Sequence, residues 1–359
     1  MSKIISIGTA LPAYCHQQMD ILKFMQQVYA ATEVEKRKLR YLYSHSGISQ
    51  RYSVVPDYSR PLPEWKFYPQ SENLEPFPSL EQRMAVYHKQ APLLSVDAIR
   101  HCLHNVVSPT EITHLITVSC TGMSAPGLDL QVMELMDFAK NIFRTSVNFM
   151  GCYAAIHALK LADAICKSDA SAKVLLVCTE LCTLHFQREA TVDNITSSLL
   201  FGDGSAAVLV TADDYHHRGL HVQSFYSQVV PKGKRDMAWE LSSSGFLMTL
   251  SGYVPDLIEE DLEHIIGKAL KNAGWERSDI AYWCIHPGGR RILEAVQQSM
   301  KIRHEHLEAS YHVLHQYGNM SSATILFALK ELLHKREANK IMAAAFGPGL
   351  TIETFTAFH

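Results

Sequence analysis

The hydrophobic pattern is clearest in the stretch "VNFMGCYAAIHALKLADAI". Its apolar residues run together, as in a buried strand, up to Gly151 and Cys152, and then recur at helical spacing at Ala155, Leu159 and Ala162. The pattern predicts a strand, a tight turn and a helix, with Cys152 at the turn. A buried cysteine usually packs as a small hydrophobe, so the turn alone does not make Cys152 a nucleophile.

Past Ile112 the pattern occurs twice along the chain. "EITHLITVSCTG" is echoed by "SDIAYWCIHPGG", "VNFMGCYAAIHALKLADAI" by "HVLHQYGNMSSATILFALKELL", and "AKVLLVCTEL" by "NKIMAAAFGPGL", in the same order and at nearly equal spacing. Any two β-α-β units look somewhat alike, but the agreement of three segments favours a duplication. We therefore expect an α/β protein built in layers from two similar halves, residues 1–220 and 221–359.

The duplication places three polar or reactive residues at the interface between the halves. Cys152 and Asn319 each follow a glycine at what the pattern predicts are corresponding strand-to-helix turns, and His286 ends the strand "IAYWCIH". A helix N-terminus and a nearby imidazolium both lower the pKa of a thiol. The sequence therefore predicts a reactive thiolate at Cys152.

Prolines crowd residues 54–79, in "VVPDYSRPLPEWKFYPQSENLEPFPS", which predicts a long irregular loop. Ser79 and Gln82 have the spacing of a capping box, so a helix is expected to start there and to be broken or kinked at Pro92. Long ordered loops often serve function, although a disordered insertion fits the same composition.

Composition narrows the class of protein. The 359 residues are 47% hydrophobic and carry a net charge of −3, so no global positive field attracts nucleic acid or an anionic membrane. The 8 cysteines contain no C-x-x-C pair, which favours reduced thiols and the cytoplasm. No apolar run reaches the roughly 18 residues of a membrane span, and none resembles a signal peptide.

Five motifs occur in the order found in one enzyme family. "MGCYAA" around Cys152, "LFGDGSAAV", "IHPGG" at His286, "YGNMSSAT" at Asn319 and the near-terminal "FGPGLTIETF" together resemble the type III polyketide synthases, the chalcone synthase-like members of the thiolase-type condensing enzymes. The resemblance covers nearly the whole chain. It implies a thiolase-like layered αβαβα fold and a homodimer.

The resemblance also implies a mechanism. Cys152 attacks an acyl-CoA starter and holds the growing chain, while His286 and Asn319 stabilise the enolate formed when malonyl-CoA loses carbon dioxide. The substrates are CoA thioesters, and no cofactor or metal is expected. The product of extension and cyclisation is a pyrone, a resorcinol or a related aromatic.

Further residues are assigned to substrate binding by their family positions. Phe201 matches a gatekeeper phenylalanine, and Met248 stands where a second aromatic gatekeeper is usual. Cys120 and Cys182 replace threonines of the plant enzymes. Ser321 keeps a family serine, and Gly349 belongs to the "FGPGL" motif. Softer and less polar walls imply a less polar starter, most simply a fatty acyl group.

Binding of CoA phosphates requires local cations. Arg51 in "SGISQRYSVV" and the pair Arg290 and Arg291 after "HPGG" are the candidates, the pair because it lies at a predicted helix N-terminus. Solvated basic helix faces explain the same residues equally well.

Three other functions remain open. A ketoacyl synthase of the type that initiates fatty-acid synthesis shares the Cys-His-Asn set but usually has His-Gln-Ala-Asn where this chain has "HPGG". A hydroxymethylglutaryl-CoA synthase-like enzyme needs a glutamate near the cysteine as a general acid. A non-catalytic acyl-binding paralogue has no use for the nucleophile.

Overall fold

The computed structural model describes residues 1–71, 73–213, 215–333, 335 and 339–359. The first half contains strands β1 (Ser2–Ala10), β2 (Tyr14–Gln17), β3 (Gln50–Ser53), β4 (His114–Ser119), β5 (Phe143–Asn148), β6 (Lys173–Leu181) and β7 (Asp203–Ala212). Its helices are α1 (Gln18–Tyr29), α2 (Glu33–Ser44), α3 (Leu80–Leu103), α4 (Leu128–Leu135), α5 (Ala154–Ser168) and α6 (Val192–Leu200).

The second half contains strands β8 (Leu220–Val229), β9 (Met237–Ser242), β10 (Gly245–Leu250), β11 (Ile280–Ile285), β12 (Lys340–Gly347) and β13 (Thr351–Phe358). Its helices are α7 (Val254–Ala273), α8 (Arg290–Ser299), α9 (Glu308–Tyr317) and α10 (Thr324–Leu333). Strand β8 begins at Leu220, the last residue of the expected first half.

Nine of the described strands form one sheet in the order β11-β12-β13-β8-β1-β7-β6-β4-β5. The two halves join where Ser2, Lys3 and Ile4 of β1 pair with Val222, His221 and Leu220 of β8. The hairpins β2-β3 and β9-β10 lie outside this sheet.

The alternation of side chains along the strands explains the layers. In β6, Val174 and Leu176 pack into a central core with α5 and α10, whereas Leu175 and Val177 pack outward with α1 and α3. Strand β12 behaves in the same way in the second half, since Ile341 and Ala343 point to the central core and Met342 and Ala344 to a core with α7 and α8. These layers form the predicted αβαβα arrangement.

The described residues of the proline-rich segment pack into this fold. Tyr58, Trp65 and Tyr68 are buried in the outer core of the first half. The carboxylate of Asp57 accepts the backbone N–H groups of Lys66, Phe67 and Tyr68, each at 2.8 Å. These contacts give the loop its own internal support.

The capping box at the start of α3 is present as predicted. Ser79 accepts the N–H of Gln82, and the Gln82 side chain accepts the N–H of Ser79. Of the predicted break or kink at Pro92, the break is wrong, because α3 continues through this residue to Leu103. Among the described residues, no helix is long and apolar enough to cross a membrane.

Candidate active site

The nucleophile turn lies between β5 and α5. Gly151 has φ +75°, and a single 3-10 turn, Gly151–Tyr153, leads into the helix. A side chain at Gly151 would place its Cβ 2.1 Å from Cδ of Pro348, so glycine is required here both by conformation and by space. The predicted strand, turn and helix are confirmed, with Cys152 at the N-terminal end of α5.

The turn that carries Asn319 has a different entry. It follows helix α9 and Gly318, and a 3-10 turn, Ser321–Ala323, then leads into α10. The expected strand before Asn319 is wrong: among the described residues the only strand-like pairing here is an isolated bridge between Phe201 and Asn319. Both turns nevertheless open a helix of the central layer.

The side chain of Asn319 is fixed by three contacts. Its Oδ1 accepts the N–H of Ser321 at 2.8 Å and the hydroxyl of Thr324 at 3.3 Å, while Nδ2 donates to the carbonyl of Gly288 at 3.3 Å. One N–H of the amide therefore remains to donate to a ligand.

His286 directly follows β11 and is held by its backbone, which donates to the carbonyl of Ala344 at 2.8 Å. Both ring nitrogens are buried and have no hydrogen-bond partner among the described residues. Burial lowers the pKa of His286 to about 3, so the ring is neutral at neutral pH. A buried imidazole left unpaired in this way is suited to a ligand.

Cys152 is buried, and its Sγ lies 3.7 Å from Oγ of Ser321. Burial raises the pKa of Cys152 to about 12, and the nearby hydroxyl of Ser321 opposes this only in part. The expected lowering of this pKa by the helix and an imidazolium is therefore wrong, since desolvation outweighs both and His286 is uncharged. The resting pair is a neutral thiol and a neutral imidazole.

Cys152, His286 and Asn319 line one cavity of about 500 Å³, which we call the main cavity. This volume is within the range of small-molecule sites in proteins. Its other walls are largely apolar and include Leu199, Leu200, Phe201, Met237, Met248, Leu250, Val254 and Phe346. The three residues thus meet in a space with apolar walls.

A second, inner cavity of about 50 Å³ lies beyond two side chains. Phe201 and Met248 line both cavities, so they stand between them, and Cys182 lines the inner one. Tyr58 brings the proline-rich loop to this inner cavity. The positions of Phe201, Met248 and Cys182 are consistent with their assignment to substrate binding, and Ser321 lies beside the nucleophile.

Two of the assigned substrate residues lie elsewhere. Cys120 lines neither cavity; its Sγ accepts the N–H of Gly151 at 3.0 Å, behind the nucleophile turn. Gly349 also lines neither cavity, and it forms the β12-β13 turn with φ +74°, where its N–H donates to Met237. Neither residue therefore faces the space that holds Cys152, His286 and Asn319.

The three candidate CoA ligands differ in their exposure to solvent. Arg51 is 4% exposed, and its guanidinium donates to Gln18 and to the carbonyl of Phe201, so it is not free to meet a phosphate. Arg290 and Arg291 begin α8 at the rim of the main cavity, with exposed side chains. They form ion pairs with Glu294 at 2.7 Å and Asp256 at 3.5 Å.

Two features of the site were not found from the sequence. His185 stacks on Phe246 at 4.2 Å between ring centroids, and both line the inner cavity with Trp239. Glu180 is buried beside the nucleophile turn. Its signal was available, because it is the single charged residue within the apolar run "VLLVCTEL". In the described part of the chain, no cluster of three His, Cys, Asp or Glu side chains could hold a metal ion.

Similarity to known proteins agrees with this geometry. Residues 1–214 match the N-terminal domain, and residues 221–358 the C-terminal domain, of the chalcone and stilbene synthases. The crystal structure of PKS-I from the brown alga Ectocarpus siliculosus is 25% identical, with a TM-score of 0.93 over 100% of this chain and 98% of that one.

Two more solved structures are similar over 100% of this chain and 99% of their own. The C-terminal type III polyketide synthase domain of Steely1, a type I/III hybrid from Dictyostelium, is 25% identical with a TM-score of 0.93. A type III pentaketide synthase from Neurospora crassa, 23% identical with a TM-score of 0.86, shares the fold.

The layered fold and the matches on both halves define an acyltransferase of the thiolase-like condensing class. Within that class, the chain belongs to the chalcone and stilbene synthase family and is a type III polyketide synthase. The family match favours this assignment over the ketoacyl synthase alternative.

Proposed function

We propose that this enzyme loads a fatty acyl group from acyl-CoA onto Cys152, extends it with malonyl-CoA, and cyclises the chain to a pyrone, a resorcinol or a related aromatic. The observation that carries the proposal is the meeting of Cys152, His286 and Asn319 in the main cavity, with both ring nitrogens of His286 unpaired in the described structure.

Loading begins from the neutral pair. As Sγ of Cys152 attacks the thioester carbon, its proton passes to the ring of His286, which is unprotonated at neutral pH and can therefore accept it. The thioester bond to CoA breaks, and CoA leaves as a thiol with that proton. The products are acyl-Cys152 and a neutral His286.

Decarboxylation uses the donors. The carboxylate of malonyl-CoA leaves as carbon dioxide, and its electron pair forms an enolate whose charge rests on the thioester oxygen. The free N–H of Asn319 and an N–H of His286 donate to this oxygen. The enolate carbon then attacks the acyl group, and Cys152 leaves as a thiolate, ready to receive the lengthened chain.

The walls of the main cavity support a fatty starter. Leu199, Leu250, Met237 and Met248 offer apolar surface, and methionine adapts to flexible chains. Burial of each methylene contributes about 0.8 kcal/mol, or roughly fourfold in kcat/KM. At the rim, Arg290 and Arg291 bind the CoA phosphates beside the N-terminus of α8.

A homodimer is part of the proposal. Strand β5 ends the sheet and is hydrogen-bonded in the described structure to β4 alone, and Phe143 on it is 69% exposed. An open edge with exposed apolar residues favours pairing with a second copy. Phe143→Lys should shift the sedimenting species toward the 40.4 kDa monomer, whereas Leu241→Lys, at another exposed apolar site, should not.

The proposed enzyme acts in the cytoplasm and without a cofactor. All eight cysteines are free thiols, which suits a reducing compartment. The proposed reaction needs only CoA thioesters, because the thiol, the imidazole and the amide supply the nucleophile, the base and the donors.

A starter panel tests the proposal. Purified enzyme is given radiolabelled malonyl-CoA with acyl-CoAs from acetyl to palmitoyl and with aromatic CoAs. We expect kcat/KM to rise with chain length and the acyl group to be found on Cys152 by mass spectrometry. A flat series, or an aromatic starter used best, would overturn the fatty starter. Absence of any adduct would overturn the loading step.

A further inference from the structure

Glu180 is a carboxylate with no cation beside it. It lies in β6 and is fully buried. Its Oε2 accepts the backbone N–H of Cys120 and the hydroxyl of Thr121, each at 2.9 Å, and its Oε1 accepts the hydroxyl of Ser322. No salt bridge to Glu180 occurs among the described residues. Burial of an acid on neutral donors alone is costly, so this residue calls for a role.

The partners of Glu180 belong to the two halves of the site. Cys120 and Thr121 follow β4 in the first half, and the Sγ of Cys120 holds the N–H of Gly151, next to the nucleophile. Ser322 belongs to the second half. It adjoins Ser321, which lies beside the Sγ of Cys152 and binds the side chain of Asn319. One side chain thus links the segment behind Cys152 to the segment that carries Asn319.

Condensation is the step that depends on this link. Loading needs Cys152, and decarboxylation needs Asn319. Carbon–carbon bond formation needs both, because the acyl group on Cys152 must lie within reach of the enolate that Asn319 holds. A misplacement of about 1 Å between reacting groups costs about 100-fold in rate. We infer that Glu180 is a positioning residue for condensation, which holds the nucleophile turn and the Asn319 turn in register. This inference rests on the proposed function.

The charge of Glu180 gives an independent readout. Burial raises the pKa of Glu180 to about 7, and its negative charge contributes to the raised pKa of Cys152. The titratable groups that face Glu180 are all acidic when they ionise, and they are Tyr87, Cys120, Cys152, Cys178 and Cys182. Alkylation of Cys152 therefore slows relative to a simple thiol profile as Glu180 ionises near pH 7.

The decisive variant is Glu180→Gln in the full-length enzyme. The amide keeps the size of the side chain but has one oxygen, so it cannot accept from Ser322 and from the Cys120–Thr121 segment together. Three rates are measured: acyl transfer to Cys152 by mass spectrometry, carbon dioxide release from malonyl-CoA, and product formation. We expect product formation to fall about 100-fold while loading and decarboxylation each stay within about threefold.

The pH profile tests whether the charge of Glu180 acts on the nucleophile, while the three rates test positioning. Iodoacetamide alkylation of the wild-type enzyme should show an inflection near pH 7, which Glu180→Gln should lack, with faster alkylation above pH 7. If product formation falls only as much as the two partial reactions, or if the inflection stays, the inference is wrong.

Two further variants serve as an independent test and as a control. Ser322→Ala removes a single donor and should lower condensation in the same direction by a smaller factor, even if Glu180→Gln fails to fold. Asp163→Asn neutralises another buried carboxyl, bonded to Ser2 and Lys167 at the side of α5, and should leave all three rates unchanged. If the wild-type enzyme neither loads nor decarboxylates, the proposed function fails instead.

Discussion

The turn that carries Cys152 and the turn that carries Asn319 share a glycine with positive φ, but they hold their functional side chains differently. Each follows a glycine with positive φ, at +75° and +66°, and each opens a helix of the central layer. The thiol has one hydrogen-bond partner at 3.7 Å, whereas the amide has three. The nucleophilic thiol is therefore held by fewer hydrogen bonds than the amide that donates to the substrate.

Removal of the nucleophile should have the largest effect. Cys152→Ala should abolish both acyl loading and product formation, because no other cysteine is found among the described residues that line the main cavity. Intact-protein mass spectrometry after incubation with acyl-CoA checks the loading. Cys166→Ala, a buried thiol on the same helix, serves as the control and should load normally. Polyketide made by the Cys152 variant would refute the assignment.

The fixed donor should matter for one step only. Asn319→Ala should slow the release of carbon dioxide from malonyl-CoA by about 10²–10³-fold, the usual cost of a lost oxyanion donor. Loading should stay within a few-fold, since Sγ of Cys152 and the ring of His286 remain. Equal losses in acyl loading and in carbon dioxide release would contradict the proposed assignment of Asn319 to decarboxylation.

The raised pKa of the loosely held thiol predicts a pH dependence. With a pKa of about 12 against an ordinary value near 8.5, the thiolate fraction is small at pH 8 and grows about tenfold per pH unit up to pH 10. His286, with a pKa of about 3, adds no inflection in this range. Alkylation of Cys152 by iodoacetamide at stepped pH measures this slope. A plateau by pH 8 would show a stabilised thiolate.

The two turn glycines are tested through their effect on the stability of the fold. Gly151→Ala and Gly318→Ala each force a side chain into a left-handed conformation and a close contact, with Pro348 and with the carbonyl of Leu200 respectively. Each should cost about 1–3 kcal/mol in the free energy of unfolding. Denaturant titration measures it. Gly267→Ala, in open space within helix α7, should instead be neutral or stabilising.

The sequence predicted the fold because the β-α-β segments recur along the chain in the same order and at nearly equal spacing. The catalytic roles of Cys152, His286 and Asn319 stay predictions. The strand before Asn319 was wrong, because "HVLHQYG" has apolar residues that fit a buried helix as well as a strand. Arg51, Cys120 and Gly349 lie outside the main cavity for another reason. The type of a residue shows which chemistry it can perform. Whether its side chain lines the cavity or packs outside it depends on segments that are distant in the sequence.

The central place of β1 in the sheet has a consequence for how the protein reaches its native state. Ser2 pairs with Ala212 of β7 and with Val222 of β8, so both partners lie far along the chain. During synthesis, β1 leaves the ribosome with no strand to join and must wait for most of the polypeptide. Such distant pairings are slow to form, so assembly of the sheet should be a late event in folding. Until then the apolar residues of β1 are exposed, and chaperones should bind them.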